Sequence, residues 1–229
     1  MCGRYVLYDN PDFFEFSELR VPVRFPVPPR YNIAPSTEVP VIRDDPQAGV
    51  VAVPMHWGLV PSWVKDRGAW REQINARGET VDTLPAFRNA FKRWRCVLPA
   101  NGFYEWQRNP ADAKAPKQPF YVFPAQGCYF AFAGVCERWV SPDGEVLHSA
   151  AIITTAANEL MAPIHDRMPV ILRAVDVQRW LAHQNADAAA LKALLAPYPA
   201  EFMKARAVSR RVGNSRNDDA ELIAPVASG

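Results

Sequence analysis

The sequence predicts an α+β fold: one domain over 1–229, with a curved, mostly antiparallel β-sheet or barrel-like core and peripheral helices. Three observations carry this. Strand-type segments outnumber helical ones. The 22 prolines favour turns and extended chain over long helices. Most connections between segments are short. At 229 residues, 49% hydrophobic and 22% charged, the chain is long enough for a sizeable core and has an ordinary globular composition.

The elements follow in order. "VVAVPMHWGLV" (50–60) reads as a strand, and "LPAFRNAFKRW" (84–94) as a helix with Leu84, Phe87 and Phe91 at helical spacing. "RCVLPANGFYEWQ" (95–107) reads as two strands joined at a turn containing Asn101-Gly102. "FYVF" and "GCYFAFAGVCERWV" suggest a hairpin; "SAAIITTAAN" (149–158) and "MPVILRA" (168–174) are further strands. "VDVQRWLAH" and "DAAALKALLA" read as short helices, and "FMKARAVS" as a last strand. A flexible tail is expected from about 220 to 229.

The net charge of +2 allows a local basic groove without demanding a nucleic-acid partner. No apolar run is long enough for a membrane span. The N-terminal region carries Asp9, Asp12 and Glu15 without an apolar signal core, so a cytoplasmic protein is expected, on the nucleoid if the source is bacterial. Cys2, Cys96, Cys128 and Cys136 have no CxxC spacing, and neither a metal site nor a disulfide framework is expected. Cys96, Cys128 and Cys136 read as buried reduced thiols.

Cys2 has a different reading. Removal of Met1 would leave an α-amine and a thiol on neighbouring carbons, with reference pKa values of about 7.7–8.0 and about 8.5. A protonated amine favours the thiolate. Together the two groups condense with an aldehyde: the amine forms an imine and the thiol closes it to a thiazolidine. In "INARGET", Asn75, Arg77 and Glu79 share one face if the segment is extended. An amide beside a guanidinium suits a sugar–phosphate. The alternative is a surface turn in which Glu79 partly neutralises Arg77. In "NGFYEWQ", Glu105 shares a strand face with Phe103, with Tyr104 and Trp106 opposite. Apolar surroundings would favour its protonated form and make it a proton donor; the alternative is an exposed carboxylate. "PIHDRMP" offers His165 as a proton shuttle and Arg167 as a phosphate ligand, against a structural histidine in a Pro-bounded turn. His56, His148 and His183 are read as structural. Tryptophans 57, 63, 70 and 106 lie among Arg4, Lys65, Arg67, Arg71 and Arg77, a mixture that suits stacking bases and pairing phosphates of single-stranded nucleic acid. Trp57 and Trp106 fit the core, whereas Trp63 fits an exposed position.

Taken in order, "MCGRY", "RYNIAPS" (30–36), "HWGLVPSWVKDR" (56–67), "INARGET" (74–80), "RCVLPANGFYEW" (95–106), "IITTAAN" (152–158) and "IHDRMPVIL" (164–172) resemble the blocks of the SOS-response-associated peptidase (SRAP) family. The resemblance covers nearly the whole chain. It implies a sensor of abasic sites in single-stranded DNA that forms a thiazolidine crosslink to the ring-opened sugar, with no cofactor and no metal. It assigns Cys2 as nucleophile, Asn75 as the group orienting the N-terminal residue and sugar, Glu105 as general acid/base, and His165 as an aid to ring opening and crosslink reversal. Arg77 and Arg167 match phosphate-binding arginines, joined by Arg4; Asn32, Trp106 and Thr154 fall in blocks that line the site, and with Trp63 from the residue reading they complete the DNA-binding set. Gly78 and Ser36 depart mildly from the family pattern. "VGNSRNDD" (212–219) follows it only loosely, so no role is assigned to Asn214. A monomer is expected.

Two alternatives stand beside this reading. A terminal cysteine with a nearby acid and histidine suits an N-terminal-nucleophile peptidase, acting if only to remove Met1. A non-catalytic single-strand DNA-binding module would need neither amine nor thiol.

Overall fold

The computed structural model describes residues 2–9, 12–109, 111–112, 114–182 and 187–226. A first sheet contains β1 (Tyr5–Leu7), β4 (Arg30–Ile33), β9 (Gly102–Gln107), β10 (Gln118–Pro124) and β15 (Met203–Ala207). Its spatial order is β15-β10-β9-β1-β4, with every pairing antiparallel. The short hairpin of β2 (Phe13–Phe16) and β3 (Leu19–Pro22) stands apart.

The second sheet closes on itself. β5 (Glu38–Asp45), β6 (Gly49–Trp57), β8 (Arg95–Ala100), β11 (Phe130–Val140) and β12 (Val146–Ala156) form the ring β12-β6-β5-β8-β11-β12. All its pairings are antiparallel except β6 with β12. Closure leaves the ring without free edges. Three short strands extend it: β7 (Asn75–Arg77) parallel on β12, β13 (Arg167–Pro169) antiparallel on β12, and β14 (Ile171–Leu172) on β11. Helices α1 (Arg88–Arg93), α2 (Val177–Leu181) and α3 (Ala188–Ala193) lie outside the sheets. Buried Arg95 joins the first two: its guanidinium donates to the carbonyls of Phe91, Lys92, Trp180 and Ala182, where helix C-termini leave acceptors without partners. No helix among the described residues is long and apolar enough to cross a membrane. The predicted class, a mostly antiparallel barrel-like core with few helices, is the one observed.

The first sheet is buried on both faces, which explains why β1 is apolar without alternation. Tyr5, Leu7, Phe103 and Val122 face the main core. Val6, Tyr104 and Tyr121 point the other way, against Val208, Val212 and Leu222 of the C-terminal segment. That segment is a strap rather than the flexible tail expected from 220. Asp219 caps a 3-10 turn at Ala220–Ile223, Leu222 is fully buried, and Val226 N–H donates to Ala207. Residues 227–229 lie outside the described residues.

Pairing departs from the sequence reading at two places. The strands either side of Asn101-Gly102 belong to different sheets, so no hairpin forms there. Asn101 instead takes the N–H of Tyr8 on Oδ1 and donates to Asp9 and to the carbonyl of Cys128. Gly102 follows because a Cβ would lie 2.4 Å from the carbonyl oxygen of Val122. Similarly, β10 pairs with β9 and β15, and β11 with β8, β12 and β14, so these two are not a hairpin. The helix expected over 84–94 is confined to α1, with turns before it. Cys96 and Cys136 are buried free thiols as expected, but Cys128 is exposed, because it lies in the loop that precedes β11.

Candidate active site

Site residues gather where the first sheet meets the barrel. β1 and β9 pair with Tyr5 opposite Phe103 and Val6 opposite Gly102, and Tyr104 N–H donates to the carbonyl of Arg4. Continued by two residues, this register brings the chain at Cys2–Gly3 alongside Glu105. Both Cys2 (0% exposed) and Glu105 (2% exposed) are buried. Glu105 is on the same strand face as Phe103, with Tyr104 and Trp106 opposite in the strap-covered cluster. The face assignment from sequence parity holds, and the exposed-carboxylate alternative does not. Burial, and after it the charge of Glu105, push the Cys2 thiol well above its usual range. The expectation that a neighbouring amine favours thiolate is outweighed in the chain that retains Met1, because desolvation of the charged form dominates.

Asn75 reaches the same point from the barrel. Its side-chain Nδ2 donates to the carbonyl of Cys2 at 2.9 Å. β7 is extended as the alternation required, in register with β12 as Asn75–Ile152, Ala76–Ile153 and Arg77–Thr154. β6 and β7 therefore occupy successive parts of the same β12 edge, and the chain leaves between them on an excursion over 58–74. Backbone bonds between Leu59 and Gln73 close its base. Glu72 locks it: one carboxylate oxygen accepts from Ser36 Oγ at 3.0 Å and lies 2.7 Å from His56 Nε2, while the other accepts two bonds from Arg67. Gly58 adopts φ +154, which L side chains rarely take, and a Cβ there would also lie 2.6 Å from Glu72 Oε2 and push it aside. Trp63 is carried on this excursion, 52% exposed and edge-on to Trp70 at 5.3 Å. Trp57 is fully buried, and Trp106 is half-buried against the strap cluster.

Arg167 opens β13, and His165 lies in the turn just before it. Arg167 Nη2 donates to the carbonyl of Thr154 at 2.7 Å and to its hydroxyl at 3.2 Å. Buried Thr154 thus links β7 to β13, since its Oγ1 also donates to Ala76. The fork of Arg167 is occupied by the Glu79 carboxylate, Nη1 on Oε1 and Nη2 on Oε2 at 2.9 Å. The alternative in which Glu79 partly neutralises Arg77 keeps only a charge effect: the Arg77 side chain is exposed and has no hydrogen bond among the described residues. Arg167 N lies 3.0 Å from His165 Nδ1. The same nitrogen is 2.9 Å from Asp166 Oδ1, a contact that becomes an ion pair when the ring is protonated. His165 lines a groove of about 410 Å³ with Trp106, Arg108 and Lys117.

Arg4 and Asn32 are engaged elsewhere. Arg4 donates to Asn32 Oδ1 at 2.9 Å and to the carbonyl of Val212 at 3.1 Å. Asn32, 1% exposed, donates from Nδ2 to the carbonyls of Val212, Asn214 and Asn217. Asp218 accepts the N–H groups of Tyr31 and Asn32. Both side chains therefore anchor the strap, and no local signal in "VGNSRNDD" announced it. His56 is held by Glu72, and His148 is exposed on β12, its pKa lowered first by partial desolvation and then by the charges of Arg43 and Arg138. His183 lies outside the described residues.

This fold and this meeting of Cys2, Asn75 and Glu105 define a class, and comparison with known proteins identifies it. The family model of SOS response associated peptidase (SRAP) matches residues 1–215, and the chain belongs to that family. The chain is 39% identical over 226 residues to abasic site processing protein YoqW of Bacillus subtilis (strain 168), spanning 97% of this chain and 99% of YoqW. It is 31% identical over 233 residues to abasic site processing protein HMCES of Mus musculus, spanning 86% of this chain and 65% of HMCES. A crystal structure of a Bacteroides thetaiotaomicron protein superposes with a TM-score of 0.75 at 27% identity, covering 86% of this chain and 85% of that one.

Proposed function

We propose that this protein processes abasic sites in single-stranded DNA by linking Cys2 covalently to the ring-opened sugar. The observation that carries the reading is the hydrogen bond from Asn75 to the carbonyl of Cys2 beside buried Glu105. A backbone carbonyl held in this way fixes the residue that bears both nucleophiles. Relatives named abasic site processing proteins along nearly the full chain support it.

In this reading, removal of Met1 frees the α-amine of Cys2. The amine lone pair attacks the sugar C1′ aldehyde and forms a carbinolamine. Glu105, protonated, donates to the departing hydroxyl, which leaves as water, and an iminium remains. The sulfur then attacks C1′, and the carboxylate of Glu105 takes the thiol proton. One water is lost, and C1′ ends bonded to the nitrogen and sulfur of Cys2. Arg77, exposed and extended on β7, takes a flanking phosphate, and Trp63 offers a stacking surface for a base. His165 assists opening of the sugar ring and reversal of the link.

The test is to incubate protein lacking Met1 with single-stranded DNA carrying one abasic site and separate the products on a denaturing gel. A covalent band is expected. It should vanish in Cys2→Ala and when an N-terminal extension blocks the amine. Survival of the band in Cys2→Ala overturns the chemistry. Peptide hydrolysis at a catalytic rate with no DNA adduct would favour the peptidase instead.

A further inference from the structure

We propose that Glu79 is a built-in competitor for DNA phosphate, closing the guanidinium fork of Arg167 until a phosphodiester displaces it. The inference rests on the single-strand reading above and concerns how that site handles charge. A guanidinium presents paired N–H groups that fit a carboxylate and a phosphate in the same bidentate manner. In Arg167 that fork is filled by both oxygens of Glu79. Two cations thus stand on strands that flank β12, with one carboxylate acting on both: Arg77 is open, and Arg167 is closed.

The surroundings allow an exchange. The Glu79 side chain is half exposed, while that of Arg167 is 18% exposed, so the carboxylate is free to swing outward and the guanidinium is held. Arg167 has a second anchor apart from Glu79, the carbonyl of Thr154 at 2.7 Å. The backbone beneath Glu79 is fixed independently. Gly78 N–H donates to Thr154, Thr80 N–H to Arg77, and Lys192 ties α3 to Asp82 at 3.0 Å and to the Glu79 carbonyl at 3.4 Å. Displacement therefore needs a side-chain rotation and no movement of the loop. Exchanging a carboxylate for a phosphate replaces one charge-assisted pair with another, so Arg167 adds little net affinity for an intact strand. Undamaged DNA is released readily, and retention falls to the covalent step at a lesion.

The probe is an undamaged single-stranded thymidine oligonucleotide, whose binding needs no crosslinking chemistry. Affinity is measured across a salt series for the wild type, Glu79→Gln, Arg77→Ala and the double variant Glu79→Gln/Arg167→Gln. Glu79→Gln should bind about 5–20-fold more tightly at low salt, with the slope of log K against log salt steeper by about 0.7, one further phosphate neutralised on a single strand. The double variant should lose that gain. A gain that persists without Arg167 overturns the inference, because the double variant has the wild-type net charge and no guanidinium fork to open. Unchanged or weaker binding in Glu79→Gln also overturns it, while loss of affinity in Arg77→Ala leaves the single-strand reading standing. Absence of salt-dependent binding by every protein overturns both. Thermal melting of each variant separates these outcomes from misfolding. If Glu79→Gln does not fold, Glu79→Asp, which keeps the charge but shortens the reach, should show a smaller gain of the same sign; no gain overturns the inference.

Discussion

The side-chain amide of Asn75 donates to the carbonyl of Cys2 at 2.9 Å, joining residues 73 positions apart. The bond exists because β7 returns to the β12 edge after the 58–74 excursion while β1 leads the N-terminal residues past β9. Two sheets thus cooperate to orient one residue.

Replacing Asn75 by Ala should therefore affect rate far more than stability. One hydrogen bond contributes about 0.5–1.5 kcal/mol to folding, whereas misplacement of a reacting group by about 1 Å reduces rate about 100-fold. Crosslinking followed by gel should slow by about 10–100-fold, with the melting temperature lowered by only a few degrees. An unchanged rate would remove Asn75 from the mechanism.

Glu105→Gln keeps shape and removes proton transfer. Crosslinking should slow by about 10²–10⁴-fold. Binding to a strand bearing a tetrahydrofuran in place of the reactive sugar should change little. Equal losses in rate and in binding would count against a general-acid role.

The buried Cys2 thiol should make the Met1-retaining chain sensitive to alkali. Its folded pKa is raised by burial and by Glu105. The unfolded thiol loses its proton above about pH 8.5, while the folded one keeps it. This contribution to stability is complete below that pH and fades as pH rises, at up to about 1.4 kcal/mol per pH unit. Cys2→Ala should show a shallower fall in melting temperature between about pH 8.5 and 10. Tyr5, Tyr104 and Cys96, also pushed up by burial, act equally in both proteins. Parallel curves would contradict the assignment.

Asn32→Ala tests whether Asn32 serves the fold or the ligand. It removes the donor to three carbonyls of the strap and the acceptor of Arg4. Stability should fall by about 2–4 kcal/mol, from acceptors left without partners, and amide exchange should quicken over 212–222. Weakened DNA binding with unaltered melting and exchange would instead show direct contact with the ligand.

How much of this was legible before the structure depends on the range of each interaction. Strand parity put Glu105 with Phe103 and opposite Tyr104 and Trp106, and alternation put Asn75 and Arg77 on one extended segment. These are local properties of an extended backbone, whose side chains alternate with a period of two. Motif content, read as a resemblance, pointed to the family that the whole-chain match then showed. The strap was not legible. Its apolar residues Val208, Val212 and Leu222 are sparse and lie among polar neighbours, and they become core only because the first sheet presents an apolar outer face.

The sequence by itself determined the class of fold, the candidate residues, and the parity that turns Glu105 inward. Tertiary structure decided who pairs with whom. Asn101-Gly102 looked like a hairpin turn but passes the chain between sheets, and Glu79, on one segment with Arg77, closes the fork of Arg167 from a strand that sequence separation hides. The reason is physical. Local geometry fixes which way a side chain points, whereas sheet closure and the meeting of distant strands fix what it meets.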